Sequence, residues 1–382
     1  MKTPNTRYCG SAALLLIAAA CSPQNGRGTD TAQAADTTQT AAAADADTMT
    51  GAMPAPAAPD QQMQAVLTEF QALNPKPIAK LSAAEARKQP TPADAVKALL
   101  TKQGKSTTPE PVGSVANRTI PGAGGPIAVR VYTPKGSGPF PVIVYYHGGG
   151  WVIADLNTYD ASPRALANLT QAVVVSSHYR QGPEHKFPAA HQDAFTTYRW
   201  VLANAKSLKG DPAKVAVAGE SAGGGLAAAV SMMARDSGAQ MPVHQLLVYP
   251  IAGYDLNTPS YRENAEAKPL NKAMMAWFFE KYLRSPEDGK NSMIDLVNAD
   301  LKGLPAATII TAQIDPLRSE GKTLADRLEA AGVEVDYKTY DGAAHEFFGM
   351  GAVLDDAKAA QQQAAAGFAK GFGSPMAESA SR

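Results

Sequence analysis

The sequence predicts an α/β fold, a mostly parallel sheet with helices on both faces, and three observations carry that expectation. Pro141–Tyr146 and Ala172–Val175 are continuous apolar runs, as strands buried on both faces should be. Helical stretches alternate with such runs along the chain, the pattern of strands joined by crossover helices. The 382 residues, 45% hydrophobic and 18% charged, can bury a sizeable core.

At the N-terminus, Lys2 and Arg7 precede the apolar run Ala12–Ala20, which is too short to span a bilayer as a stable helix. Such a start reads as a secretory signal peptide over residues 1–20. Ala18-Ala19-Ala20-Cys21-Ser22 resembles the lipobox of bacterial lipoproteins, which implies acylation of Cys21 and an exported, lipid-anchored protein of the bacterial cell envelope. Alanine stands where that motif usually has leucine, and Ala18-x-Ala20 also suits ordinary cleavage to a periplasmic or secreted protein. Residues 21–62 are rich in Ala, Thr, Asp, Gln, Gly and Pro, and from Ser22 to Gln62 no Leu, Ile, Val or aromatic residue occurs. That composition cannot offset its ordering entropy, so it predicts a disordered tether with a span of roughly 35 Å.

The folded part is expected at 63–372, uninterrupted by any linker-like segment and followed by a disordered tail at 373–382. Gln64–Phe70 has helical spacing, Ser82 and Glu85 suit a capping box, and Ala93–Leu100 makes another short helix. Lacking a complete core of their own, these pieces (about 63–105) read as a cap. Ile127, Val129 and Val131 alternate as in a half-buried edge strand. After the two buried strands come strand-like Val215–Ala218, Leu246–Tyr249, Thr308–Ile310 and Val333–Tyr340. Helices are expected at Pro188–Ala205, Ser221–Arg235, Lys272–Leu283 and Arg318–Ala331, the last closed by Gly332 as a left-handed cap.

Composition excludes several functions. Lysine plus arginine (35) equals aspartate plus glutamate (35), so no basic excess exists to hold nucleic acid. The two cysteines, Cys9 and Cys21, both lie near the N-terminus and can build neither a disulfide framework nor a cysteine metal site in the core.

Residues able to carry chemistry stand at strand ends. Val215–Ala218 runs into Gly219-Glu220-Ser221-Ala222-Gly223 and then a helix. A sharp strand-to-helix turn of this kind exposes a serine hydroxyl and needs small residues two positions to either side. The strand Pro141–Tyr146 runs straight into His147-Gly148-Gly149-Gly150-Trp151. Three successive glycines cost backbone entropy, which makes sense if main-chain N–H groups must approach a ligand closely. Gly149, Gly150 and Ala222 would supply three donors to an oxyanion, each worth about 2.7–4 kcal/mol.

A serine nucleophile needs a base and an orienting acid. Of six histidines, His147, His178, His185 and His191 precede Ser221, and His244 sits in an apolar strand. In a fold of this kind the partners follow the serine, which leaves His345, in the loop Asp341–Phe347, where glycine mobility could swing the ring over the sheet. Asp315, just after a strand and before Pro316, is the favoured acid, with Asp255 the second candidate.

His147–Trp151 together with Gly219–Gly223 resembles the hormone-sensitive-lipase family of α/β-hydrolases, the bacterial family IV esterases. Tyr179-Arg180, Pro183-Glu184, Phe187–Ala190, Asp315–Leu317 and His345-x-Phe347 fit as well, and the likeness covers nearly everything after about Gln62. The resemblance implies an α/β-hydrolase fold with a helical cap, and a serine carboxylic-ester hydrolase for short- to medium-chain acyl esters. Ser221 is then the nucleophile, His345 the base and Asp315 the acid, with Gly149, Gly150 and Ala222 as the oxyanion hole. It implies neither metal nor cofactor, a small-molecule ester as partner, and membrane contact only through the N-terminal anchor. A serine amidase or peptidase, or a non-catalytic ligand binder on the same fold, are the alternative functions.

Two positions depart from the family pattern, Ser319 for aspartate and Glu346 for glycine. The first predicts a looser acid loop, the second added charge near the base. Arg180 and Glu184 read as an ion pair bracing the nucleophile turn. Met274, Met275, Trp277, Phe278 and Phe279 either line an acyl pocket or pack on the first cap segment.

Overall fold

The computed structural model of the protein describes residues 57–373. The signal peptide, Cys21, most of the tether and the tail beyond Gly373 lie outside the described residues.

Eight strands form one sheet in the order β1-β2-β4-β3-β5-β6-β7-β8. They are β1 (Ser114–Ile120), β2 (Ile127–Thr133), β3 (Phe140–Tyr146), β4 (Val173–His178), β5 (Gly210–Glu220), β6 (Gln245–Val248), β7 (Ala307–Ile314) and β8 (Val335–Ala344). β2 pairs antiparallel with both β1 and β4, and every pairing from β4 onward is parallel.

Side chains alternate across the parallel strands and build two cores. β3 sends Val142, Val144 and Tyr146 to one face and Ile143 and Tyr145 to the other. The first core is closed by α5 (Ala189–Asn204), α6 (Ala222–Asp236) and α9 (Arg318–Ala330), through residues such as Tyr198, Leu226 and Leu324. The second is closed by α4 (Ala161–Thr170) and α10 (Asp355–Phe372), through Leu166, Ala360, Ala364 and Phe368. Both faces are therefore apolar, which is why the strands read as unbroken hydrophobic runs.

The remaining helices are α1 (Gln61–Ala72), α2 (Ala83–Ala86), α3 (Pro92–Lys102), α7 (Pro259–Glu263) and α8 (Lys272–Tyr282). The Ser82–Glu85 capping box forms as expected, and a second one joins Thr91 and Asp94 at the start of α3. Trp277 of α8 donates its indole N–H to the Leu81 carbonyl at 3.1 Å, tying the two cap segments together.

Three expectations need correction. The alternating strand β2 is interior, because β1 covers its outer side from Ser114↔Thr133 to Ile120↔Ile127. β1 itself carries one buried residue, Ile120, and is held by the ladder rather than by a hydrophobic face. The strand starting near Val333 runs on to Ala344, so His345 is carried on a strand end and not on a mobile glycine loop.

The third concerns ion pairs. Arg180 does not meet Glu184. Its guanidinium grips Asp193 with two bonds of 2.8 Å, and its backbone N–H adds a third at 2.9 Å. Glu184 instead takes a two-pronged grip from Arg87 at 2.7 Å, and Arg87 also donates to the Val152 and Gly182 carbonyls. The cap segment is thus pinned beside the glycine loop by one arginine.

These two pairs should differ in worth. The Asp193 side chain is 2% exposed, whereas that of Glu184 is 53% exposed. Arg180→Ala strands a buried carboxylate and should cost about 3 kcal/mol. Glu184→Ala removes a solvent-screened partner and should cost less than about 1 kcal/mol. Urea denaturation of the two variants checks the contrast.

Candidate active site

The residues proposed for the triad and the oxyanion hole lie at the carboxyl edge of the parallel sheet. Tyr146 is level with Gly219, and Glu220 with Val248, so His147 and Ser221 leave the sheet on neighbouring strands. Ile314 is paired with Ala344, so the next residues, Asp315 and His345, emerge together. Register alone brings an acid and an imidazole side by side.

Ser221 adopts φ 56° and ψ −119°, a backbone conformation that costs about 1–3 kcal/mol for a residue with a side chain. It is held there by main-chain bonds. Its N–H donates to the Val248 carbonyl at 2.9 Å, and its carbonyl accepts from Gly225 and Ile251 at 3.1 Å. The flanking glycines answer a steric demand. A Cβ at Gly219 would lie 2.0 Å from the Gly223 carbonyl oxygen, and one at Gly223 would lie 1.9 Å from the Tyr146 carbonyl oxygen.

A hydrogen-bonded chain runs from this serine. Ser221 Oγ is 3.0 Å from His345 Nε2, and His345 Nδ1 is 2.7 Å from Asp315 Oδ2. Asp315 Oδ1 accepts the Leu317 backbone N–H at 2.9 Å, which fixes the carboxylate. All three residues are buried. Burial, the largest single influence, would by itself depress the imidazole's pKa, but the Asp315 carboxylate, helped by Glu346 and Glu220, outweighs it, and the net direction is upward from 6.5. Such a chain can draw the proton from the hydroxyl and hold the resulting imidazolium. Asp255 is not part of it: this residue is exposed and caps a turn through the Asn257 N–H.

The glycine loop is pinned by aromatic groups. His147 stacks on Tyr179 at 4.5 Å, its Nε2 is 3.1 Å from His178 Nδ1, and the Tyr179 hydroxyl donates to the His147 carbonyl. Burial pushes the His147 pKa down to about 3, so this ring is neutral. Gly150 has φ 58°, and a Cβ there would strike the Phe278 ring at 2.2 Å. Gly149 and Gly150 line a cavity of about 620 Å³ together with Ser221 and His345. Ala222 opens α6 directly behind the serine and is fully buried. Among the described residues, the N–H groups of Gly149, Gly150 and Ala222 donate to no other protein group.

The cap closes the same cavity with Phe70, Ile78, Met274 and Phe278. The apolar stripe of α8 is therefore divided. Met274 and Phe278 face the cavity, while Met275, Trp277 and Phe279 are packed in the core. Ser319 does not loosen the acid loop either. Its Oγ accepts the Ser260 N–H, its N–H donates to Ser260 Oγ, and that hydroxyl donates to the Pro316 carbonyl at 2.6 Å.

The charge expected from Glu346 does lie near the base, 3.9 Å from His345 Nε2, but sequence reasoning missed its tyrosine partner and the carboxylates of Glu220 and Glu320. Glu220 lies beneath the serine turn and accepts hydroxyl bonds from Tyr145 at 2.5 Å and Tyr249 at 2.6 Å, with burial pushing its pKa up to about 7. Glu320 accepts the Ala252 and Gly253 N–H groups. Tyr159, in the segment before α4, donates to Glu346 at 2.5 Å.

Known proteins resemble this chain in sequence and fold. A family model described as alpha/beta hydrolase fold matches residues 143–349. Carboxylesterase NlhH of Mycobacterium tuberculosis is 43% identical over 233 residues, 60% of this chain and 73% of its own. An arylesterase of Saccharolobus solfataricus is 34% identical over 247 residues, 64% of this chain and 80% of its own. The solved structure of the esterase from Pyrobaculum calidifontis superposes with a TM-score of 0.74 at 38% identity, covering 82% of this chain and 98% of that one. With its sheet, its serine turn and its glycine loop in place, the chain belongs to the hormone-sensitive-lipase family of α/β-hydrolase esterases, as a carboxylesterase-like hydrolase.

Proposed function

We propose that this hydrolase cleaves short- to medium-chain carboxylic esters through an acyl-enzyme on Ser221. The single observation that carries the reading is the 3.0 Å approach of Ser221 Oγ to His345 Nε2 beside Gly149 and Gly150. In the first half-reaction Oγ attacks the ester carbonyl carbon and its proton passes to Nε2. The carbonyl electron pair moves onto oxygen, facing the N–H groups of Gly149, Gly150 and Ala222. When the pair returns, the carbon–alkoxide bond breaks, and Nε2 gives its proton to the departing alkoxide. In the second half-reaction water attacks the acyl carbon by the same route, Nε2 taking and returning the proton, and releases the carboxylic acid and free Ser221. Asp315 holds Nδ1–H throughout, which keeps Nε2 free to accept.

The cavity supports the acyl-length reading. About 620 Å³ under a cap suits a compact substrate, with activity on nitrophenyl esters peaking below about ten carbons. Ser221→Ala should lose roughly 10⁴-fold or more in kcat, because the triad acts as a unit. Asp315→Asn should lose about 10³- to 10⁴-fold through the wrong tautomer, while Asp255→Asn keeps most activity. Equal damage from the two aspartate variants would unseat Asp315, and turnover of anilides without comparable ester turnover would favour an amidase.

The pH dependence follows from the raised imidazole. Catalysis needs neutral His345, so activity falls as pH drops through a value above 6.5. In Asp315→Asn burial is left with less opposition, and the ring's pKa should move downward. NMR titration of the His345 ring in Ser221→Ala, with and without Asp315→Asn, measures both values.

Export and anchoring through Cys21 complete the proposal, and rest on sequence alone. Among the described residues no helix is long and apolar enough to cross a membrane. Cys21→Ala should shift the protein from the membrane to the soluble fraction, and unchanged fractionation would remove lipidation from the reading.

A further inference from the structure

Glu346 occupies a backbone position that a side chain makes costly. Its φ is 74°, in the left-handed region that favours glycine, directly after the imidazole of the site. A strained residue held by its surroundings points to a task for the side chain. The carboxylate has two neighbours of consequence. Oε1 accepts the Tyr159 hydroxyl at 2.5 Å, and the same oxygen stands 3.9 Å from His345 Nε2, the nitrogen that faces Ser221. Asp315 holds the opposite nitrogen of that ring at 2.7 Å. The imidazole is therefore flanked by carboxylates at both nitrogens.

The Glu346 side chain is 21% exposed, and it borders both the 620 Å³ cavity and a second cavity of about 570 Å³. Tyr159 borders both as well, so the Tyr159–Glu346 hydrogen bond forms a wall between them. Among the described residues, the other titratable groups acting on this pair are Glu220 from β5, Asp315 from the end of β7 and the phenols of Tyr145, Tyr179 and Tyr249, with no lysine or arginine among them. Tyr145 and Tyr249 spend their hydroxyls on Glu220. Protonated His345 is the one cation in reach of the Glu346 carboxylate within that group.

We propose that Glu346, held by Tyr159, is a positioning residue that stabilises the imidazolium of His345 from the cavity side and thereby sets the acid limb of ester hydrolysis. The inference rests on His345 acting as the base. Its chemistry is electrostatic: an anion beside Nε2 favours the protonated ring that forms in both half-reactions, and in the free enzyme it keeps the ring charged to higher pH. Burial pushes the Glu346 pKa up, and the neighbouring imidazole and the Tyr159 hydroxyl oppose that rise, so its charge is coupled to that of His345.

The test is the pH profile of kcat/KM for a short nitrophenyl ester, with wild type, Glu346→Gln and Glu346→Gly. Both variants should fold, the second with backbone strain relieved, as thermal melting checks. Each should lower the plateau kcat severalfold with little change in KM, while the acid limb moves down by about half a unit or more. The variants thus become slower yet keep a larger share of their activity at acid pH, which a purely structural role would not produce. An acid limb unmoved in both folded variants overturns the proposal for Glu346 alone. Absence of ester turnover in wild type would instead strike the underlying reading of Ser221 and His345.

Discussion

Everything at this site hangs on the backbone of one residue. Ser221 is forced to positive φ at the point where β5 stops and α6 begins, and three main-chain hydrogen bonds keep it there. The strain is affordable because the turn is bounded by rigid parts. Behind it lie the buried Val217 and Ala218, and ahead of it a helix buried along most of its length. Any relaxation of the turn would have to move a strand in the middle of the sheet or lift α6 from it. A hydroxyl mounted this way is exposed to the cavity without being free to wander.

Sheet register does the rest of the positioning. Acid and imidazole need no loop to find each other, since the Ile314–Ala344 pairing delivers Asp315 and His345 as adjacent strand ends. A register irregularity between Ala312 and Ile314 aligns the two ends. The glycine loop obeys a different constraint, because it must bring backbone close to the serine while Phe278 presses from the cap. Stacked His147 and Tyr179 supply the rigidity that three glycines lack.

Legibility in the sequence followed the strength of the local signal. The interior strands were readable because burial on both faces leaves an unbroken apolar run, and Ser221 because glycines at 219 and 223 answer a local steric demand. β1 was not, since all its residues but Ile120 are exposed and backbone bonding makes it a strand. α10 was overlooked although Asp355 and Asp356 open it, alanines fill it and Gly373 ends it in the left-handed conformation. Partner choice was the least legible property. Arg180 and Glu184 are close in sequence, yet the chain folds so that Asp193, one turn into α5, meets Arg180 and distant Arg87 meets Glu184. Spacing reports what lies along the chain, and ion pairs are settled across it.

The carboxylates around the serine turn show how one chemical group is put to different uses by its donors. Glu220 and Glu346 are both burdened by burial, which favours their protonated forms. Burial pushes the Glu220 pKa up to about 7 beneath the turn, against two phenol hydroxyls that donate to it and favour its charged form. Glu346 has one phenol and one imidazole, and its charge is therefore tied to the protonation of that ring. Structure around a buried acid is what separates a brace from an electrostatic partner. The backbone agrees with that division, since Glu220 sits in a regular strand whereas Glu346 alone is held in a left-handed conformation next to the imidazole it faces.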